Sequence, residues 1–355
     1  MADHLILLAP SANRVYAAAA DRLVAAELTI MMGADDHPSI QPVSLAGVGY
    51  LAVGTESLDE RLCTALGRLS GRYATFRREH DRLLPVKITT PDLFDDDLVT
   101  IPKYPGKTNE QFSRLLINVT LASMRRMSSG SISIPTAQAG GGSKGGHTPL
   151  HILDPLCGRG TILSSAMMLG CHAAGVEAEP KAVEAYATYL RNYLRRKRLK
   201  HSLVVNPVRR EGKIIGKRLD AEVIPNGRER PIAVTVFTGD TRQSAALFGK
   251  RRFDALIADA PYGVVHGSQT DLSSGGKRDR SAAGLIGEAL PVWAMQLKSG
   301  GALGLSWNAI GLRRERLLEL VAAAGLEPLD SGPYRDFEHR VDSSIRRDIL
   351  VAIKP

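Results

Sequence analysis

Cysteine is scarce in this chain. Cys63, Cys157 and Cys171 are the only three in 355 residues. They fall in no metal-ligand spacing and cannot all pair, so no disulfide framework and no metal site are expected, and a reducing cytoplasm is the expected setting. Long apolar runs are also missing. No segment approaches the ~20 apolar residues that span a bilayer, so no membrane role is expected. Asp3 and His4 stand where a signal peptide carries its basic region, and the apolar run Leu5–Leu8 is too short to be its core.

What the chain does have is positive charge in one place. Lysine and arginine total 46 against 37 aspartate and glutamate, a net +9, and residues 191–230 alone hold 13 basic and 4 acidic side chains. The remainder is neutral in sum. A concentrated block points to a polyanionic partner more strongly than a diffuse excess would. Its densest part is Arg195, Arg196, Lys197, Arg198 and Lys200, beside no compensating acid in the sequence. The plainer reading is a solvated helix end followed by a polar loop.

The length favours two domains. Residues 1–127 read as a smaller α/β or α+β domain, with strands at Leu5–Leu8 and Tyr50–Val53. Helical spacing shows in Val15, Ala19, Leu23 and Ala26, in Leu58, Leu62, Leu66 and Leu69, and in Phe112, Leu115, Leu116 and Val119. Residues 128–149 are rich in Gly and Ser and read as a linker. No Gly-Lys-Ser/Thr follows and no strand precedes, which excludes a phosphate-binding loop there. From residue 150 to 355 strands alternate with helices, as in a doubly wound parallel sheet whose ligands lie at the carboxyl ends of the strands. Residues 201–232 interrupt that alternation as a basic inserted loop or hairpin.

Four elements fall at strand ends. The turn Asp154-Pro155-Leu156-Cys157-Gly158-Arg159-Gly160-Thr161 follows a strand and opens a helix, so its glycines let the backbone approach a ligand at a helix N-terminus. A dinucleotide fingerprint needs a third glycine where Leu163 stands, which argues against a dehydrogenase. Glu177, followed by Ala178, ends the second strand where a carboxylate accepts from two ribose hydroxyls; a solvated acid is the equal alternative. Asp240, followed by Thr241, ends the third strand and is placed to accept from an adenine amine, or to cap a helix. The fourth element, Asp259-Ala260-Pro261-Tyr262-Gly263, decides between these readings. A base amine is a poor nucleophile because its lone pair is delocalised into the ring. Asp259 and the Ala260 carbonyl supply acceptors for its two N–H bonds, and Tyr262 a face for stacking.

In these motifs residues 150–355 resemble the class I methyltransferase domain of the tRNA guanine-N2 methyltransferase group, the THUMP-associated family. That group carries Asp-Pro-Phe-Cys-Gly-x-Gly-Thr and Asp-Pro-Pro-Tyr-Gly; here Leu156 replaces the phenylalanine and Ala260 the second proline. The segment Gly106-Lys107-Thr108-Asn109 resembles the approach to the catalytic domain in the same relatives, whereas residues 1–127 show no recognisable THUMP module. The resemblance implies a Rossmann-like sheet with an antiparallel last strand near Arg346–Ile353. It implies S-adenosylmethionine as cofactor, held by Asp154, Pro155, Cys157, Gly158, Gly160, Thr161, Glu177, Ala178, Asp240 and Thr241. Asp259, Ala260, Pro261 and Tyr262 would be catalytic, and RNA, tRNA foremost, the partner. The alternatives are guanine-N2 in rRNA, an adenine or cytosine amine in DNA, and a non-catalytic RNA-binding protein on the same scaffold.

Overall fold

The computed structural model describes residues 3–11, 14–33, 37–104, 106–125, 148–210, 213–262 and 282–355. The stretch read as a linker lies outside them but for its last two residues, and so does Gly263. The N-terminal elements are β1 (Asp3–Leu8), α1 (Arg14–Met32), β2 (Ser39–Leu45), β3 (Val48–Gly54), α2 (Glu60–Arg68), β4 (Arg72–Glu79), β5 (Arg82–Val86), α3 (Asp97–Thr100) and α4 (Glu110–Ala122). Their strands form an antiparallel sheet of order β2-β3-β1-β4-β5. One face of it buries Ile6, Leu51 and Val53 against Val24 and Leu28 of α1 and Leu62 and Leu66 of α2. Both helices carry the apolar spacing expected of a core face.

The second half follows as β6 (His151–Asp154), α5 (Thr161–Met168), β7 (His172–Glu177), α6 (Pro180–Arg196), β8 (Lys200–Arg210), β9 (Lys213–Ile224), β10 (Ile232–Thr238), α7 (Ser244–Phe248), β11 (Phe253–Asp259), α8 (Ala282–Gln296), β12 (Leu297–Asn308), α9 (Arg314–Ala323), β13 (Glu327–Leu329), β14 (His339–Arg340) and β15 (Arg346–Ile353). The sheet order is β13-β15-β12-β11-β6-β7-β10-β9-β8, with β14 on β15. Strands β12, β11, β6, β7 and β10 run parallel, and β15 is antiparallel to β12. This is the class I Rossmann-like methyltransferase fold. The basic insert is a hairpin, β8–β9, which adds two antiparallel strands to the β10 edge. Alternation along each central strand feeds two cores. Ile152, Ala255, Ile257 and Val351 face α4, α5 and α6, while Leu153, Leu256, Ala258 and Leu350 face α8 and α9.

Helix α4 departs from a one-sided stripe. Phe112, Leu115, Leu116, Ile117, Val119 and Leu121 are all buried, and so are Ser113, Asn118 and Thr120, so the helix is buried on more than one face, as a helix within a core must be. It packs on α1 from one side and on α5, β11 and β12 from the other. At Gly304 of β12 the approach is so close that an added Cβ would lie 1.8 Å from Thr120 Oγ1.

A buried polar cluster ties α4 to the N-terminal sheet unit. Glu27 of α1 accepts from Ser70 N at 3.1 Å, from Ser70 Oγ at 2.5 Å and from Asn118 Nδ2 at 2.7 Å, while Arg68 donates to Asn118 Oδ1 at 3.1 Å. Burial pushes the Glu27 carboxyl up to about 7, with the hydrogen bonds from Asn118 and Ser70 pulling the other way. An acid raised on folding contributes stability that is complete below its unfolded value and is lost as pH rises through its folded value. The unfolding free energy read from urea titrations should therefore fall between about pH 4.5 and 7, by at most about 3 kcal/mol through this group. Glu27→Gln should flatten that interval, and a profile unchanged by the substitution would refute the assignment.

Candidate active site

The parallel strands diverge between β6 and β11, and open α/β sheets bind ligands at such a switch point. Asp154 ends one of these strands and Asp259 the other. Asp154 is 2% exposed and accepts from Leu156 N at 3.0 Å. Burial pushes its carboxyl well above the usual carboxylate range, and the charges of Asp259 and Glu177 push the same way. The following turn is tight: Cys157 N donates to Val176 O at 3.0 Å, Gly160 N to Cys157 O at 2.8 Å, and Pro155 is buried. Gly158 and Gly160 have φ of 51° and 78°. Gly160 caps α5 in the left-handed region, and a Cβ there would come within 2.5 Å of the Tyr186 ring; at Gly158 a Cβ would meet nothing within 4 Å. One glycine is thus demanded by packing, and the other leaves its backbone open to a ligand.

Glu177 bridges the turn to the next helix, accepting from Gly158 N and Glu179 N, each at 2.8 Å. Two backbone amides fix its carboxylate and leave lone pairs for a diol. Ala178 beside it is exposed. These features fit a bound nucleoside.

At the end of the third strand Asp240 stands in the second of its two expected roles, as a cap. Asp240 is gripped by its neighbour: Arg242 donates from Nε at 2.9 Å and from Nη2 at 2.5 Å, as well as from its backbone N, and Arg242 also bridges to Glu288. The Thr241 hydroxyl accepts the Trp293 indole N–H at 2.9 Å in the buried core. Asp240 caps a short turn with its near neighbour Arg242, and Thr241 anchors α8 through Trp293, which reaches it only in the folded chain.

Around Asp259 the structure gathers its own motif's Tyr262 with Thr108 of the loop before α4, and adds Ser306 and Arg347, which no motif marked. Oδ1 accepts from Ser306 Oγ at 2.7 Å and from the Tyr262 hydroxyl, and Oδ2 from Thr108 Oγ1 at 2.6 Å; Arg347 Nη2 lies 4.0 Å away. Ser306 is the register partner of Asp259 in β12, and its carbonyl accepts from Ala260 N at 2.8 Å. Ala260 is 2% exposed and Pro261 exposed. The Tyr262 ring packs against Arg347, with its hydroxyl turned to Asp259 rather than a free face turned outward. Burial and then the Asp259 charge raise the tyrosine hydroxyl well above its usual value, so it remains a donor. Thr108 is positioned by Asn109, which caps α4 by accepting from Gln111 N at 2.8 Å. Tyr104 reaches the first turn, its hydroxyl 2.9 Å from Thr161 Oγ1 and its ring under Arg159 at 4.8 Å. A lone serine in an apolar strand and the Lys107-Thr108-Asn109 loop were the available signals. Nothing local marked Arg347.

The basic run is sorted by its surroundings. Lys197 pairs with Asp95 at 2.7 Å and Asp97 at 2.8 Å, and Arg196 with Asp97 at 2.8 Å, so acids distant in sequence do compensate it. Arg195, Arg198 and Lys200 stay exposed. Among the described residues there is no metal-binding cluster of His, Cys, Asp or Glu, and no helix long and apolar enough to cross a membrane.

Residues 145–274 match the family described as UPF0020, RMKL-like, methyltransferase domain. The match covers the first Asp-Pro turn, β7, the hairpin and the strand ending at Asp259. No curated protein matches by sequence. Similar solved structures include a TehB-like SAM-dependent methyltransferase from Corynebacterium glutamicum, at 15% identity and TM-score 0.34, covering 59% of this chain and 83% of that one. A precorrin-6y C5,15-methyltransferase from Geobacter metallireducens has 15% identity, TM-score 0.37 and coverage of 74% and 96%. A 16S rRNA N2 methyltransferase from T. thermophilus, solved with AdoMet and guanosine, has 15% identity and TM-score 0.37, covering 89% of this chain and 58% of that one.

Gly160→Ala tests the cofactor turn. A left-handed alanine facing the Tyr186 ring should cost roughly 2 kcal/mol or more, read as a lower melting temperature together with weakened S-adenosylmethionine binding in a calorimeter. Wild-type values for both would show that the turn does not need the glycine.

Proposed function

We propose that this protein methylates the exocyclic N2 of a guanosine in RNA, with tRNA as the favoured substrate and the cytoplasm as its place of action. The observation that carries the reading is a partly buried strand-end carboxylate, Asp259, held by three hydroxyls beside a turn built for a nucleoside. Bound S-adenosylmethionine supplies an electrophilic methyl group. Glu177 would hold its ribose and the Cys157–Thr161 turn would lie against its polar end, whereas Asp240 would first have to leave Arg242.

The chain's own residues have two tasks. The first is to make the amine nucleophilic. A carboxylate has about four lone-pair sites, and Thr108, Ser306 and Tyr262 take three, so one remains for an amine N–H. With the Ala260 carbonyl accepting the other N–H, the lone pair turns out of the ring plane toward the methyl group. As the N–C bond forms and the methyl–sulfur bond breaks, Asp259 takes the surplus proton. The second task is to hold the base outside its stack. Tyr262 can stack on it after its hydroxyl releases Asp259. The hydroxyls of Thr108 and Ser306 then keep the carboxylate aimed.

Asp259→Asn keeps the shape and removes the base. Turnover should fall about 10²–10⁴-fold with S-adenosylmethionine binding intact; a wild-type rate would end the assignment. Nucleoside mass spectrometry of total tRNA and rRNA from cells lacking the gene should show N2-methylguanosine missing from one RNA class. An unaltered nucleoside profile would count against the reading. The exposed cations provide the RNA test. Replacing Arg195, Arg198 and Lys200 by glutamine should lower the slope of log affinity against log salt by about 2 to 3, and an unchanged slope would make them plain solvated surface.

A further inference from the structure

A cleft of about 510 Å³ opens between the N-terminal unit and the methyltransferase domain, with Ser11, Arg72, Lys107, Thr108, Asn109 and Arg347 among its walls. Two of these residues meet the reacting carboxylate: Thr108 donates to Asp259 Oδ2, and Arg347 Nη2 lies 4.0 Å from the same oxygen. Arg347 is 7% exposed, and its guanidinium stands over the rings of Phe112 and Tyr262, 4.3 and 4.9 Å from their centroids. Its Nε is buried without a hydrogen-bond partner among the described residues. A guanidinium carries five N–H donors and no acceptor. Donors left unpaired away from water cost free energy until an acceptor arrives. Since aromatic rings pack against the guanidinium plane, what it has left to offer a ligand is its N–H edge.

An acceptor, Asp259, thus stands behind the wall of a cavity large enough for a nucleotide, beside a wall arginine whose Nε is unpaired. The complement of that pair is a base with an amine donor and a separate acceptor on one edge. Guanine has N2 and O6 with a ring N–H between them. Adenine offers only a ring nitrogen directly beside its amine, too close to match groups 4.0 Å apart. Cytosine, whose O2 lies as far from its amine as guanine O6 does from N2, puts between them a ring-nitrogen lone pair that the Asp259 carboxylate repels, where guanine presents an N–H. We propose that Arg347 is the residue that selects guanine, donating to O6 while Asp259 accepts from the N2 amine, with the base entering by the cleft. The inference rests on the guanine-N2 reading above and adds its specificity determinant.

The test compares the methylated RNA carrying guanosine with the same RNA carrying 6-thioguanosine at the target. The analogue keeps both N–H donors and offers a poor acceptor at position 6. Wild-type kcat/KM should fall about 10- to 100-fold on that exchange, the discrimination typical of a good arginine–guanine contact. In Arg347→Met, and in Arg347→Lys, which keeps the charge but loses the planar fork, the two RNAs should be used within about threefold of each other. A penalty due only to the bulk of sulfur would persist in both variants and would overturn the inference. So would a wild-type enzyme indifferent to the exchange, a result that needs neither variant to fold. Methylation of adenosine or cytidine with guanosine untouched would instead overturn the guanine reading, and the selection with it.

Discussion

Where Thr120 of α4 meets Gly304 of β12, helix and sheet approach so closely that one added carbon would overlap the threonine hydroxyl. That contact seats α4, a helix of the N-terminal half, inside the core of the methyltransferase sheet. Its other side is bound to the first unit through Asn118, Glu27 and Arg68. The two halves of the molecule therefore share one buried element. The register of that element determines where its N-terminal cap lies, and Thr108 at the cap reaches Asp259. The site depends on this arrangement, because the hydroxyl that holds the carboxylate comes from a segment far from it in the chain.

Asp259 illustrates how a partly buried anion is accommodated. It is surrounded by hydroxyl donors from three separate places, the loop before α4, strand β12 and its own turn, with a guanidinium nearby. Charge-assisted hydrogen bonds of this kind orient a carboxylate as well as satisfy it. The arrangement is asymmetric in what it can give up. Ser306 is tied to Asp259 by strand register and Thr108 by a helix cap, whereas Tyr262 is held by a side-chain rotamer and the Arg347 contact. In the proposed cycle Tyr262 is the partner that yields to substrate.

The charge distribution carries a related lesson. Read along the chain, residues 195–198 form an uninterrupted cationic run. In space two of the four are neutralised by Asp95, in the loop entering α3, and Asp97, the first residue of that helix. That leaves Arg195, Arg198 and Lys200 as the exposed charges next to the hairpin edge of the sheet. A linear count cannot separate a cation that staples a loop from one available to a polyanion, and three-dimensional pairing can.

The sequence by itself determined the local features of this protein. Period-two and period-3.6 apolar spacing marked β6, β7, β10, β11, α1, α5 and α6, and glycines with adjacent acids marked the strand ends at Asp154, Glu177 and Asp259, because these signals depend on neighbours within a few residues. Helix α8 was not legible, since its residues are apolar on nearly every side and Pro291 lies within it. Tertiary structure decided the rest. Thr241 went to Trp293, α4 was buried on both sides, and Thr108, Ser306 and Arg347 came to stand around one carboxylate. Such partners are chosen by which side chains reach one another once strands and helices have packed, and that distance is encoded in no single stretch of the chain.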